Sequence, residues 1–167
     1  MEKSGFFNSS DGDRVYDATD FASYFGKLVG NGIFYSSTSA LKVTAGTGMS
    51  VDVAAGSAWI NGYSYENTDT LTLEINTADG VNPRIDRVVI QWSAVNREIK
   101  LAVLTGTADE TPAAAPLTRN NDIYELGIAD ITVERGAIGI SAANVSDTRL
   151  DTSLCGTVNS LVLAVYE

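Results

Sequence analysis

The spacing of hydrophobic residues changes once along this chain. From Asp17 to Val29, the residues Phe21, Tyr24, Phe25, Leu28 and Val29 fall at helical spacing on one face. That pattern predicts a single helix over about residues 17–29. Asp17 is placed to cap it, and Asp20 adds negative charge in the first turn, where the helix dipole favours it. Gly30-Asn31-Gly32 supplies the stop. Beyond it the period becomes two. Leu41, Val43 and Ala45 alternate with Lys42 and Thr44, and Met49, Val51 and Val53 alternate with Ser50 and Asp52. Gly46-Thr47-Gly48 turns between them, and Ala54-Ala55-Gly56 ends the second strand. Residues 58–60 and 63–65 flank Asn61-Gly62, the strongest short hairpin signal.

Leu71, Leu73 and Ile75 form another alternating strand. Val88, Ile90 and Trp92 then share one face, as do Ile99, Leu101 and Val103, with a turn at Val95-Asn96-Arg97. Residues 105–119 carry Pro112, Pro116 and an alanine run, which reads as a longer loop. Tyr124, Leu126 and Ile128 share one phase, whereas Ile131 and Val133 share the other. A one-residue slip inside one strand predicts a β-bulge. Residues 137–140 are expected to pair nearby, and 141–153 read as polar and irregular. Before the helix, residues 5–16 read as an extended or turning arm. It holds Phe6, Phe7, Val15 and Tyr16 around the polar run Asn8 to Asp13.

Many short strands with closely spaced turns predict a mainly β fold, an antiparallel β-sandwich or open barrel with one N-terminal helix and an extended N-terminal arm. The expected organisation is an arm over 1–16, a helix plus β-sandwich domain over 17–150, and a C-terminal tail over 151–167. The apolar stretch 157–166 fits a last strand or a helix. The 167 residues, 44% hydrophobic, suit one domain with a self-supporting core.

Charge and composition narrow the function. Lys plus Arg total 11 against 21 Asp plus Glu, a net charge of -10. Phosphate binding needs a basic footprint, so nucleic acid and an anionic membrane surface are not expected as partners. The chain contains no histidine, which removes Ser-His-Asp and Cys-His catalysis, histidine bases and most zinc sites. Carboxylate chemistry remains open. Cys155 is the sole cysteine, so no intramolecular disulfide forms, and with no histidine to activate it a small buried residue is expected. The start, Met1 to Phe7, lacks the apolar stretch of a signal peptide, and no apolar run is long enough to span a membrane. The expectation is a chain kept in the cytoplasm until assembly or lysis releases it.

Several clusters invite chemical readings. Asp11-Gly12-Asp13 opens like a calcium loop, but the following offsets hold Val15, Asp17 and Thr19, and a turn is expected instead. Gly46-Thr47-Gly48 lacks the Gly-Lys-Ser/Thr of a phosphate cradle. Trp59, Tyr63, Tyr65 and Trp92 are candidates to stack on sugar rings, with core or interface packing as the default. Asp86 beside Arg84 and Arg87, and Asp147 beside Arg149, read as structural ion pairs ahead of catalytic carboxylates. No catalytic residue, metal or cofactor is expected.

Three longer stretches, taken in order, resemble a known family. The first runs from Lys3 to Ser9 and on through Gly12-Asp13-Arg14, Tyr16-Asp17-Ala18 and Asp20-Phe21. The second holds Ala45-Gly46, Gly48-Met49, Val51, Val53, Gly56, Ala58-Trp59-Ile60 and Gly62. The third begins at Pro83 to Val89 and continues through Gly106-Thr107, Pro112, Leu117 to Arg119 and Tyr124 to Leu126. Asp147-Thr148-Arg149 and Cys155-Gly156 look like a closing motif. Together they resemble the N-terminal domain of the upper-baseplate and receptor-binding proteins of phages of Gram-positive bacteria. The resemblance implies a domain without enzymatic activity, present in several copies and attached to a distal tail or baseplate hub protein. In that family a helical linker and further domains are expected after the Cys-Gly motif. Here the sequence stops at Glu167, which favours a connector over a host-binding role.

The expected function is therefore a structural baseplate protein joining the distal tail or hub to the receptor-binding or tail-fibre protein, within the virion. Phe6, Phe7, Val15 and Tyr16 are its candidate interface with a neighbouring subunit. The second reading is a receptor-binding module for cell-wall saccharide, using Trp59, Tyr63 and Tyr65. A carboxylate glycan hydrolase is the third.

Overall fold

In the computed structural model, which describes residue 2 and residues 4–162, the chain is mainly β: 37% strand against 7% helical. The expected class holds, and the antiparallel sheets are consistent with a β-sandwich or open barrel. Helix α1 spans Ala18–Phe25. Ten strands follow: β1 Gly32–Ile33, β2 Val43–Ala45, β3 Ser50–Val53, β4 Gly56–Ile60, β5 Tyr63–Asn67, β6 Leu71–Glu74, β7 Arg84–Ser93, β8 Glu98–Leu104, β9 Ile123–Val133 and β10 Val145–Asp147. They form three sheets, ordered β1-β4-β5, β2-β3-β6 and β10-β9-β7-β8.

One core serves all three sheets. Ile33, Leu41, Val51, Val53, Ile60, Val88, Ile90, Leu126 and Ile131 belong to a single buried cluster. Strand β7 is covered on both faces, since Val89 is as buried as Val88 and Ile90. The loop over residues 105–119 lies on the outer face. Its Ala115 carbonyl accepts from Arg87, and its Gly106 N–H donates to Asp86. Double coverage explains the unbroken apolar run Val88-Val89-Ile90.

Several turns form as the pattern requires. Asn61 and Gly62 both take positive φ, 52° and 86°, the conformation of a type I′ hairpin turn. Residues 94–97 turn between β7 and β8, with Arg97 at φ 56°. The bulge lies where the phase slips: Val88 pairs with Ala129 and Val89 with Gly127, leaving Ile128 extra on β9.

Four segments differ from expectation. Asp17 caps α1 with its carboxylate on the Thr19 and Asp20 N–H groups, and Asp20 returns the bond to the Asp17 N–H. The helix nevertheless ends at Phe25, not near Val29, because residues 28–33 take partners from the far end of the chain. Leu161 N–H donates to Leu28 O, Gly30 N–H to Asn159 O, Ile33 N–H to Gly156 O, and Val158 N–H to Ile33 O. Residues 156–161, expected within a tail, are thus tied to the domain, and residues 163–166 of the apolar stretch lie outside the described residues. Strand β10 falls in the stretch read as irregular and pairs with the open edge of β9. Residues 137–140 form no strand, although the Ile140 N–H donates to Gly48 O.

Candidate functional site

Of the two forms expected for the arm, extended or turning, it takes the turning one. It folds back on itself, with the Tyr16 hydroxyl accepting from the Phe7 N–H at 2.9 Å and donating to the Phe7 carbonyl at 3.2 Å. Asp11 and Gly12 take positive φ at the tip, and the Asp13 carboxylate accepts from the Ser10 N–H at 2.7 Å. The Asp11-Gly12-Asp13 run therefore makes a turn. Phe6 sits at φ 63°, a conformation costly for an aromatic residue unless contacts hold it. Its ring lies 5.6 Å from Tyr16, 5.6 Å from Phe21 and 4.9 Å from Tyr24.

Phe6 on the arm joins Phe21, Tyr24 and Phe25 of the helix in one aromatic cluster open to solvent, and Phe7 and Val15 are exposed on the arm as well. Phe6 is 49% exposed, Phe7 59% and Val15 86%, and Phe21, Tyr24 and Phe25 are exposed beside them. Tyr16 is half-buried. Of α1, only Ala22 is buried, so its aromatic face packs on the arm and the surface in place of the core. Clustered exposed aromatics of this kind mark interaction surfaces.

The three saccharide candidates do not share a face. The two-residue turn opposes Ile60 to Tyr63, so Tyr65 opposes Ala58 and Trp59 opposes Ser64. Tyr63 and Tyr65 therefore lie on one face of the hairpin and Trp59 on the other. Trp59 packs edge-on against Phe25 at 6.0 Å, and its buried indole N–H has no acceptor among the described residues. Tyr63 instead meets Trp92, with ring centres 5.9 Å apart. Tyr63, Tyr65, Trp92 and Ile99 line a trough of about 830 Å³ between the β4–β5 and β7–β8 hairpins. Burial raises the pKa of the Tyr65 hydroxyl. Tyr124, read in the sequence only as a strand residue, lies opposite Trp92 on β9.

The charged clusters are structural. Arg84 grips buried Asp86 through Nε at 2.9 Å, and its other nitrogens donate to the Thr77 and Asn76 carbonyls. Arg87 pairs with Asp130 rather than with Asp86, through Nε at 2.6 Å and Nη2 at 2.9 Å. Arg149 holds Asp147 and also donates to the Ala40 and Thr38 carbonyls. Its guanidinium keeps the Asp147 carboxyl below the usual range. Arg119 donates to the Ser153 and Leu154 carbonyls. Each of these four guanidinium groups is thus spent as a clip on backbone carbonyls.

Cys155 is buried, and burial pushes its thiol up to about 12, far from the thiolate a nucleophile needs. Among the described residues no group of three or more Cys, Asp or Glu is placed to hold a metal ion. No helix among them is long and apolar enough to cross a membrane. No family model matches this sequence, and no curated protein matches it.

Proposed function

We propose that this chain is a structural protein of a phage tail baseplate, connecting a distal tail or baseplate hub protein to a receptor-binding or tail-fibre protein. It works by shape and contact, without turnover or cofactor. It is assembled in the host cytoplasm and carried in the virion, as one of several copies in a symmetric ring. Nucleic acid and membrane are not its partners.

One observation carries this reading: the clasped arm and α1 present Phe6, Phe21, Tyr24 and Phe25 together on the surface, with Phe7 also exposed on the arm. Burying such rings against a neighbour is favourable by about 25 cal/mol for each Å² of apolar surface removed from water. The ordered resemblance of residues 3–156 to the upper-baseplate family supplies the identity of the neighbour. Arg84, Arg87 and Arg149 spent on loops, and a buried neutral Cys155, fit a scaffold.

The test is to mix the purified chain with its distal tail or hub protein and measure complex mass by chromatography with light scattering. A stable stoichiometric complex is expected, lost in a Phe6→Ser, Phe7→Ser double variant that keeps its thermal unfolding transition. Two separate peaks for the natural sequence overturn the reading.

A further inference from the structure

We propose that the trough between the β4–β5 and β7–β8 hairpins binds a neutral, linear oligosaccharide of pyranose rings. This inference does not depend on the connector reading, because its aromatic residues lie on β5, β7 and β9; Ala18 and Thr19 at the start of α1 border the trough, but none of the exposed rings of the arm and α1 lines it.

The register of three strands builds the site. Trp92 pairs with Ile99 on β8 and with Tyr124 on β9, so all three share one face. Tyr63 reaches that face from β5, with an angle of 34° between its ring and that of Trp92. Tyr65 follows on the same face of β5, two residues or about 7 Å along. Tyr65, Tyr63, Trp92 and Tyr124 are all half-buried, with part of each side chain open to solvent. Trp92 also borders a second hollow of about 430 Å³, lined by Tyr124, Asn61, Asn120 and Arg119, whose guanidinium lies 5.4 Å over the Tyr124 ring. Both volumes fall in the range of small-ligand sites, about 300–1,000 Å³.

The chemistry selects the ligand. Flat aromatic surfaces in a row accept the C–H faces of successive sugar rings, and amides placed beside them serve the hydroxyls at the ring edges. Asn120 spends its side-chain oxygen on the Asp122 and Ile123 N–H groups, which turns its amide nitrogen to donor duty. At the other end stand Glu66, Arg97 and Glu98, the last paired with Lys100, and the chain's net charge is -10. The rim itself is mixed in charge, so it is the net charge of the whole chain that disfavours a polyanion. Trp59, on the opposite face of the hairpin, takes no part.

The two indole N–H groups report the two faces separately. The full chain, labelled with nitrogen-15, is titrated with cellotetraose, with chitotetraose and with a proline decamer. The expected result is a saturable shift of the Trp92 indole signal with at least one tetrasaccharide below about 10 mM, with Trp59 unmoved. Tyr63→Ala should weaken binding about tenfold, Tyr63→Phe should retain it, and Trp59→Phe should leave it unchanged. Thermal melts of each variant separate lost binding from lost fold. No saturable shift with either tetrasaccharide overturns the proposal. A shift at Trp59 in place of Trp92 overturns it too, and saturation by the proline decamer alone reassigns the trough to an extended peptide.

Discussion

Asp86 shows what one buried charge does in this fold. Its carboxylate is fully buried and serves two masters, the Arg84 guanidinium and the Gly106 N–H at 2.8 Å. Removing it leaves a buried guanidinium without its counter-charge and frees the start of the 105–119 loop. Asp86→Ala should therefore destabilise the protein by about 3 kcal/mol or more, read as a lower urea midpoint. A midpoint unchanged within error would show that Arg84 is held by its carbonyl acceptors alone. The pairing of Arg84 with Asp86, two residues apart on one strand, was legible in the sequence because both side chains must fall on the same face. The partner of Arg87 was not, since Asp130 lies on β9 and only the strand register brings it near. Trp59 teaches the converse. A two-residue turn at Asn61-Gly62 fixes the opposed pairs, so the hairpin itself implies that Trp59 is separated from Tyr63 and Tyr65, whatever their nearness along the chain.

Among the elements, those set by local chemistry were the legible ones. The capped helix start, the Asn61-Gly62 turn and the β9 bulge each follow from residues within a few positions of one another. The helix end and β10 do not. The first is decided by backbone partners at 156–161, and the second by the free edge of β9, with polar Ser146 and Asp147 carrying no alternation of their own. The hairpin turn also bears on α1. At Gly62 a Cβ would take a strained φ of 86° and collide with the Ala22 carbonyl oxygen at the helix. Gly62→Ala should cost about 3 kcal/mol, from backbone strain and the clash together. Gly12 has a similar φ of 78° but open space around it, so Gly12→Ala should cost only about 1 kcal/mol. Thermal melts distinguish the two, at about 2–4 °C per kcal/mol for a chain this size. Equal shifts would mean that the close approach of hairpin to helix does not exist in solution.

At the scale of the whole molecule, acid should loosen the fold through its carboxylates. Asp147 is held below its ordinary value of 3.8 by its hydrogen bonds to Arg149, Asp79 by the backbone N–H groups of Asn82 and Val81, and Asp151 by Ser153. A carboxyl depressed on folding contributes stability that is complete above the unfolded value and disappears as pH falls through the lower folded one. The melting temperature should therefore hold between pH 7 and 5 and decline below about pH 4, with a shallower decline in Asp147→Asn. An identical slope in that variant would remove Asp147 from the account. The seam joining residues 156–161 to 28–33 acts on a different axis, that of time. During synthesis Ile33 leaves the ribosome about 120 residues ahead of Gly156, a gap of roughly 6–25 s at ~5–20 residues per second. Strand β1 meets β4 early, but its other edge must wait that long for Gly156 and Val158, while the arm and the capped start of α1, whose contacts are local, are already able to form. The aromatic face is thus displayed to the cell before the domain that bears it can close.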